Sequence, residues 1–324
     1  MDSETQELLR ASLARLLADA DSRPLSTRLV DYGWQETPPE DRSAALRILF
    51  ELKGERLSAD DSLNATLAGL LADALGDESL RAACLVLPAS LAAGRPAVRE
   101  SARGFRVEGV AVGPIGDGPI VLPIGQGLGM IKNSSSLTKT PLHGFDPALG
   151  WTAVTGELAS ADMARMDGEN GRAAWESAVA QGRWMVAAEL IAIGRHVVGD
   201  VASYTKTRKQ YGVAIGSFQA LQHRLATAHA ALVGAMHMVV EAASTGSAWE
   251  ALVAKALAGR AAEDACTQAQ QCYGAIGFTW EQKFHRYLRR CYALDRLFGD
   301  YRSLEFEIGA ELQASRVVPR IGEF

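Results

Sequence analysis

Residues 204–225, YTKTRKQYGVAIGSFQALQHRL, place an arginine, a glycine-punctuated turn and a helix start close together. Arg208 offers a planar fork of charged donors, and a fresh helix N-terminus offers free N–H groups. The combination suits an anionic ligand. Ser217 is the expected N-cap, with Phe218, Leu221, Leu225 and Ala228 following on one face. A solvated turn between helices would carry the same residues. A second stretch, QCYGAIGFTWEQKFHRYLRR over 271–290, breaks a helical pattern at Gly274 and Gly277. Glycine there lets backbone donors come close to a ligand. It also simply ends helices.

Other chemistries find no support. Cys84, Cys266, Cys272 and Cys291 lack zinc or CxxC spacing and read as free thiols of a reducing compartment. Gly113, Gly116 and Gly118 do not sit between a strand and a helix, so they read as β-turn glycines and not as a phosphate loop. A net charge of −5 argues against nucleic acid. The acidic start after Met1 is unlike a secretory signal, and no apolar run reads as long enough to span a bilayer. A soluble cytoplasmic protein is expected.

The elements around these stretches are mostly helical. Aromatics make up 7% of 324 residues, while alanine and leucine abound. Residues 4–20 and 60–76 carry leucines at helical spacing, and LVDYGWQETPPEDRSAALRILFEL reads as helix, turn, helix, with Pro38 and Pro39 near a start. From Leu80 the runs CLVLPASLAAG, FRVEGVAVGPIGDGPIVLPIG and WTAVTGE are cut by Gly and Pro in strand-and-turn fashion. SSSLTKT, 134–140, reads as a mobile polar loop. From Asp167 the chain is helical again, with one element through Arg208, capped near Asn170, then helices at about 217–244, 247–273 and 282–312. The tail VVPRIGEF is expected to dock or fray.

The pair RKQYGVAIGSFQ and QCYGAIGFTWE, in this order, resembles the acyl-CoA dehydrogenase family, whose consensus is RxQFGxPIxxFQ followed by a QxxGGxGF turn. The likeness is good over 166–290, loose before 80 and poor over 85–150. It implies a mainly α fold with a small β domain: a shortened N-terminal helical domain over 1–79, a middle β-barrel over 80–165, and a C-terminal four-helix bundle over 166–324. The family's WIT-like strand at the flavin is not found. ETPPEDRSA stands where the family has a Gly-Gly turn that helps cover the acyl chain.

The resemblance also implies FAD. On it, Arg208 and Gln210 face the pyrophosphate, and Tyr211, Ile215, Phe218 and Gln219 surround the adenine end. Gln271, Gly274 and Gly277 form a turn at the flavin of a neighbouring subunit. Arg183 matches a substrate-site arginine. The family removes an α-proton from a CoA thioester with a glutamate at one of two places and passes the β-hydrogen to the flavin. Those places hold Gly182 and Phe298 here. A glycine or phenylalanine takes no proton. Asp295, Asp300, Glu305 and Glu307 lie near Phe298, where a relocated base or surface ion pairing would explain them. Glu281 matches a structural acid. Base-lacking members resemble the short subunits of α2β2 heterotetrameric enzymes of actinobacterial steroid degradation. The implied partners are a base-bearing subunit or a second copy, an acyl-CoA, and an electron-transfer flavoprotein. A self-sufficient enzyme and a flavin-free scaffold are the other readings. The apolar 247–273 helix is expected to be covered by another subunit.

Overall fold

The computed structural model describes residues 1–19, 21–89, 96–101, 104–113, 115–125, 127–166 and 168–317. Asp167 and the tail from residue 318 lie outside the described residues. Four helices come first: α1 Ser3–Ala18, α2 Leu25–Asp31, α3 Pro39–Arg56 and α4 Ser62–Leu75. Eight strands follow: β1 Cys84–Pro88, β2 Val98–Ser101, β3 Gly104–Ala111, β4 Ile120–Ile124, β5 Gly127–Ile131, β6 Thr138–Pro141, β7 Thr152–Leu158 and β8 Met163–Met166. The last part holds α5 Glu169–Thr207, a small hairpin of β9 Lys209–Gln210 and β10 Val213–Ala214, then α6 Gln219–Thr245, α7 Ala248–Tyr273, α8 Phe284–Asp295 and α9 Tyr301–Ser315. The fold is mainly helical with one sheet domain, as expected.

Packing divides the chain into two compact units. One comprises Asp19–Thr37 and Ala59–Gly182, the other Met1–Ala18, Pro38–Ser58 and Arg183–Phe324. In the first, the strands run in the order β6-β7-β3-β1-β4-β5-β8, with β2 beside β3. Among the described residues only β1 and β4 pair in parallel. Along β3, Phe105 and Val107 are buried while Arg106 and Glu108 are exposed, the period-two pattern of a sheet with one face on a core. Val86, Ile120, Leu122, Ile131 and Val154 belong to that core. Asn64 of α4 ties the helix to β1 by donating to Ala83 O at 3.2 Å and accepting from Leu85 N at 2.7 Å.

The expectation of a mobile loop at 134–140 is corrected here. Ser134 is buried and donates to Gly118 O at 2.9 Å, Leu137 is buried, and β6 begins at Thr138. Lys139 pairs with Asp117. The polar sequence therefore stitches the Gly116–Gly118 turn to the sheet. That turn lies between β3 and β4, so its glycines serve a β connection.

In the second unit α7 is central and packs on α6, α8 and α9. Ala251, Ala254, Ala258, Ala261, Ala262, Ala265 and Ala269 are all buried. Small side chains let the neighbours come close on several sides. The expectation that this helix seeks another subunit is therefore corrected: its apolar surface is used within the chain. Much of α6 is uncovered, with Val240 exposed along with Ala220, Ala226, Ala230 and Ala231. On length and hydropathy α6 could also cross a bilayer, against expectation, but it pairs with α7 and α3 and carries His223, Arg224, His229 and His237. Two further corrections concern helix ends. Phe218, not Ser217, precedes the first turn of α6, and the Ser217 hydroxyl donates back to Ala214 O at 2.7 Å. The single helix expected over 282–312 is two, because Phe298 and Gly299 adopt φ of 58° and 104° and Asp300 starts α9 by capping Ser303 N.

Arg290 of α8 is 1% exposed and donates to Ser58 O at 2.8 Å, with Glu189 of α5 at 3.9 Å. Arg290→Ala removes the charge facing a buried carboxylate. It should lower unfolding free energy by about 3 kcal/mol or more in urea titration. Burial pushes the Cys84 thiol up to about 11. Its reactive thiolate should be scarce below that pH, so the folded protein should resist alkylation at Cys84 at pH 8 and lose that protection in denaturant. Mass spectrometry of alkylated peptides reads this directly.

Candidate functional site

The first turn begins where α5 stops. Arg208 N bonds Tyr204 O at 3.0 Å, and Ile215 N then closes back on Arg208 O at 2.8 Å. Between them Gln210 pairs with Val213, which leaves Tyr211 and Gly212 as a two-residue hairpin loop. Both have positive φ, 53° and 81°, the type I′ pattern that favours glycine at the second position. Tyr211 is bulky, so its left-handed backbone is strained, and its ring is 93% exposed. Gln222 Nε2 reaches back to Gly216 O at 2.9 Å and steadies the entry to α6.

The second turn ends α7. Gly274 has φ of 63° at the helix C-cap, with open space where a side chain would stand. Gly277 is buried, and a Cβ there would lie 2.9 Å from Tyr273 Cβ. Gly274 is thus open to a ligand, whereas Gly277 answers to the packing of its own helix. Beyond it Phe278 and Trp280 are 74% and 77% exposed, with Trp280 edge-on to His285.

An aromatic latch holds the two turns at one end of the bundle. Tyr204, one helical turn before Arg208, packs on Tyr273, the residue before Gly274, at 5.1 Å between centroids. Tyr273 also packs on Phe284 and donates its hydroxyl to Asp200 Oδ2 at 2.6 Å. Burial first, and then that bond, push the Tyr273 phenol far above its usual range. Arg208, Gln210, Gln219 and Gln271 are exposed, and among the described residues their side chains make no hydrogen bond or ion pair. Ile215 is half-buried and Phe218 exposed beside them. A guanidinium, three amides, exposed aromatic surface and an open glycine turn form a donor set suited to a dinucleotide.

A second cluster lies further down α5. Arg183 Nε donates to Phe298 O at 3.2 Å, and its Nη2 pairs with Glu307 at 3.3 Å. The neighbour of Gly182 and the Phe298 corner, 115 positions apart, thus meet. Arg183 is committed within the chain on both sides of its guanidinium. The acids near Phe298 are committed too. Asp295 binds Lys255, Asp300 caps Ser303, and Glu305 pairs with Arg260. Burial pushes the Asp300 carboxyl up, but bonds from Ser303 and the Arg296 charge outweigh it and hold the group below its ordinary range. Each of these carboxylates is thus already engaged by a partner within the chain. Glu281 is exposed.

Sequence reading missed Tyr204, Asp200, Tyr273 and Lys255. Lys255 had a signal: a lone cation in the apolar run ALVAKALAG. The Tyr-Gly pair was a hairpin signal. The tyrosine latch had none, because its partners are distant in sequence.

The chain is similar to known proteins in sequence and in fold. The model of the family described as acyl-CoA dehydrogenase, C-terminal domain, matches residues 169–301. The chain is 27% identical to acyl-CoA dehydrogenase IpdE2 of Mycobacterium tuberculosis, over 96% of this chain and 98% of that protein. Among solved structures it resembles a chain of the Tcur3481-Tcur3483 steroid ACAD G363A variant, with a TM-score of 0.76 at 19% identity over 97% of this chain and 99% of that one. It likewise resembles a chain of the ChsE4-ChsE5 complex from Mycobacterium tuberculosis, with a TM-score of 0.73 at 18% identity over 99% of both chains.

Proposed function

We propose that this chain, which is similar to acyl-CoA dehydrogenases over its C-terminal domain, is one subunit of an FAD-dependent enzyme that introduces an α,β double bond into a CoA thioester, with the catalytic base supplied by a partner subunit. FAD is the cofactor, and when bound it accepts the β-hydrogen as hydride. The chain's own contribution is to hold the cofactor. Arg208 and Gln210 bind pyrophosphate oxygens, and Tyr211, Ile215, Phe218 and Gln219 border the adenine. Gln271 and the open backbone at Gly274 complete the cradle, with Gly277 shaping the turn.

One observation carries the subunit reading. Arg183, at the Phe298 corner, and Arg208, at the cofactor turns, are joined by unbroken α5. Twenty-five residues at 1.5 Å each separate them by about 37 Å, more than an extended FAD spans. The corner and the turns therefore serve different flavins, and a second chain is needed to complete either site. The uncovered face of α6, where Ala226, Ala230, Ala231 and Val240 alternate with His223, His229 and His237, offers surface for such a partner. A base-bearing relative in a heterotetramer fits best, because neither Gly182 nor Phe298 can take the α-proton. A second copy of this chain would complete the flavin contacts but leave both base positions empty of a carboxylate. One solved relative is described as a steroid ACAD, which favours a steroid-derived acyl group here. Electron-transfer flavoprotein is the acceptor that the family implies. The commitments of Asp295, Asp300 and Glu305 count against a relocated base.

Dye reduction by acyl-CoA tests the proposal. The purified chain alone should show none, and the chain co-expressed with its base-bearing partner should show it. General-base catalysis contributes on the order of 10² to 10⁴ in rate, so the contrast should be plain. Gly182→Glu, beside Arg183, should restore at most weak activity, since nothing around it was built to tune that carboxyl. Robust turnover by the unmodified chain alone, abolished by Asp295→Asn, Asp300→Asn or Glu305→Gln, would overturn the subunit reading. A separate expectation concerns the cofactor. Arg208→Ala in the co-expressed complex should lower flavin content measured by absorbance, and an unchanged flavin-to-protein ratio would remove Arg208 from the site.

A further inference from the structure

The uncovered face of α6 is ordered symmetrically about its middle. The helix buries Ala228, Leu232, Ala235 and Val239 against its own chain. On the other side Ala230 stands at the centre of a ridge. Ala226 and Gly234 lie four residues either side of it, and His223 and His237 lie seven either side. These spacings are about one and two turns of helix, so the five residues share one line. All five are exposed. The order is small residues at the centre and an imidazole at each end, the same in both directions.

Three further features say what comes here. Glycine inside a helix costs about 1 kcal/mol against alanine. Gly194 and Gly259 have a reason within the chain, since a Cβ would meet Leu232 Cδ2 at 2.6 Å and Asp295 Oδ1 at 2.2 Å. At Gly234 a Cβ would meet nothing within 4 Å, so its own chain gives no reason for it. A groove of about 390 Å³ lies beside the ridge, with His223, Thr227 and Ala231 on one wall and Asp264 and Gln268 of α7 on the other. It leaves room for the side chains of a second helix. The charges of α6 point to which helix that is. Its charged side chains are Arg224 near the N-terminus and Glu241 near the C-terminus. A copy of α6 laid parallel would set like against like. Laid antiparallel, it brings each Glu241 to the end that carries the other copy's Arg224, and it opposes the two helix dipoles. Among the described residues the side chains of His223, His237 and Glu241 make no hydrogen bond or ion pair that would have to be broken first.

We propose that this ridge is a two-fold interface, in which α6 of a second copy of this chain lies antiparallel across Ala230. A residue a given number of places before Ala230 then faces the residue as many places after it in the other copy. Ala226 meets Gly234, and side chains this small let two helices approach to about 8 Å. His223 meets His237, where one neutral imidazole donates an N–H and the other accepts it. In a heterotetramer the two copies of this chain meet here. The interface goes beyond the flavin reading and uses none of the residues assigned to the cofactor.

Cysteine cross-linking of the full chain, alone and in the co-expressed complex, tests the register. Ala230 faces itself across the two-fold, so Ala230→Cys should form a disulfide between two copies under copper–phenanthroline oxidation. A band at twice the chain mass on a non-reducing gel reads it. Ala226→Cys and Gly234→Cys should each cross-link poorly alone and roughly tenfold better when the two variants are mixed, since each needs the other within disulfide reach. The wild type should give no such band, because Cys266, Cys272 and Cys291 are buried. Gly234→Leu should raise the dimer dissociation constant roughly tenfold or more in sedimentation equilibrium. Its helical circular dichroism should be unchanged, because a Cβ at that position touches nothing in its own chain. A wild-type chain that is monomeric at tens of micromolar, with no Ala230→Cys band in the complex either, overturns the interface. Strong self-cross-linking by Ala226→Cys alone places the helices parallel and overturns the register. Cross-linking of Ala230→Cys to the base-bearing chain instead assigns the face to that partner and overturns the second copy. Absence of dye reduction by the complex leaves all these bands as they are, so the functional reading and the interface fail separately.

Discussion

The unbroken run of α5 is the constraint on which the site arrangement depends. Its 39 residues contain no proline, and from Trp184 to Gly194 every residue is buried. A helix apolar on all sides is a core element, not a surface one. It therefore acts as a ruler. One end of its buried half carries Arg183 and the corner at Phe298, and the other ends at Arg208 and the cofactor turns. Neither can approach the other without breaking the core of the unit. The proposed assembly with a second chain rests on that distance and not on surface composition.

Around this ruler the polar groups fall into two sets with different duties. At the Arg208 end the cations and amides are exposed and unspent, which is what an incoming anionic cofactor requires. The shape there is kept by the tilted Tyr204–Tyr273 ring contact and the Asp200 bond, which leave the exposed Arg208 and glutamine side chains uncommitted. At the Phe298 end the opposite holds. Arg183, Lys255, Asp295 and Asp300 are all spent on main-chain and side-chain partners within the chain. A site so internally satisfied holds its shape, as the proposed base-lacking subunit requires.

The helices were legible because their periodicity is strong over long stretches, and the strands because Gly and Pro cut short apolar runs. The two motif turns were legible as positions, and the structure brings them to one end of the bundle. What the sequence hid depended on distant partners. The break at 296–300 contains no proline, and its bonds come from residues 115 and 44 positions away. Ser134 looked like loop because its acceptors lie in another turn, at Gly118. The apolar helices α6 and α7 could not be ranked, since composition does not say which one the others surround. Alanine favoured the centre because it allows close approach, and α6 was left with its face outward.

The central claim is that this chain holds two half-sites for flavin chemistry and no whole one. Flavin stoichiometry tests it most directly. The chain purified by itself as a monomer should be colourless, and the same chain isolated with its base-bearing partner should be yellow, with FAD lost again when the two are separated. A monomer of this chain carrying one tightly bound FAD would contradict the account.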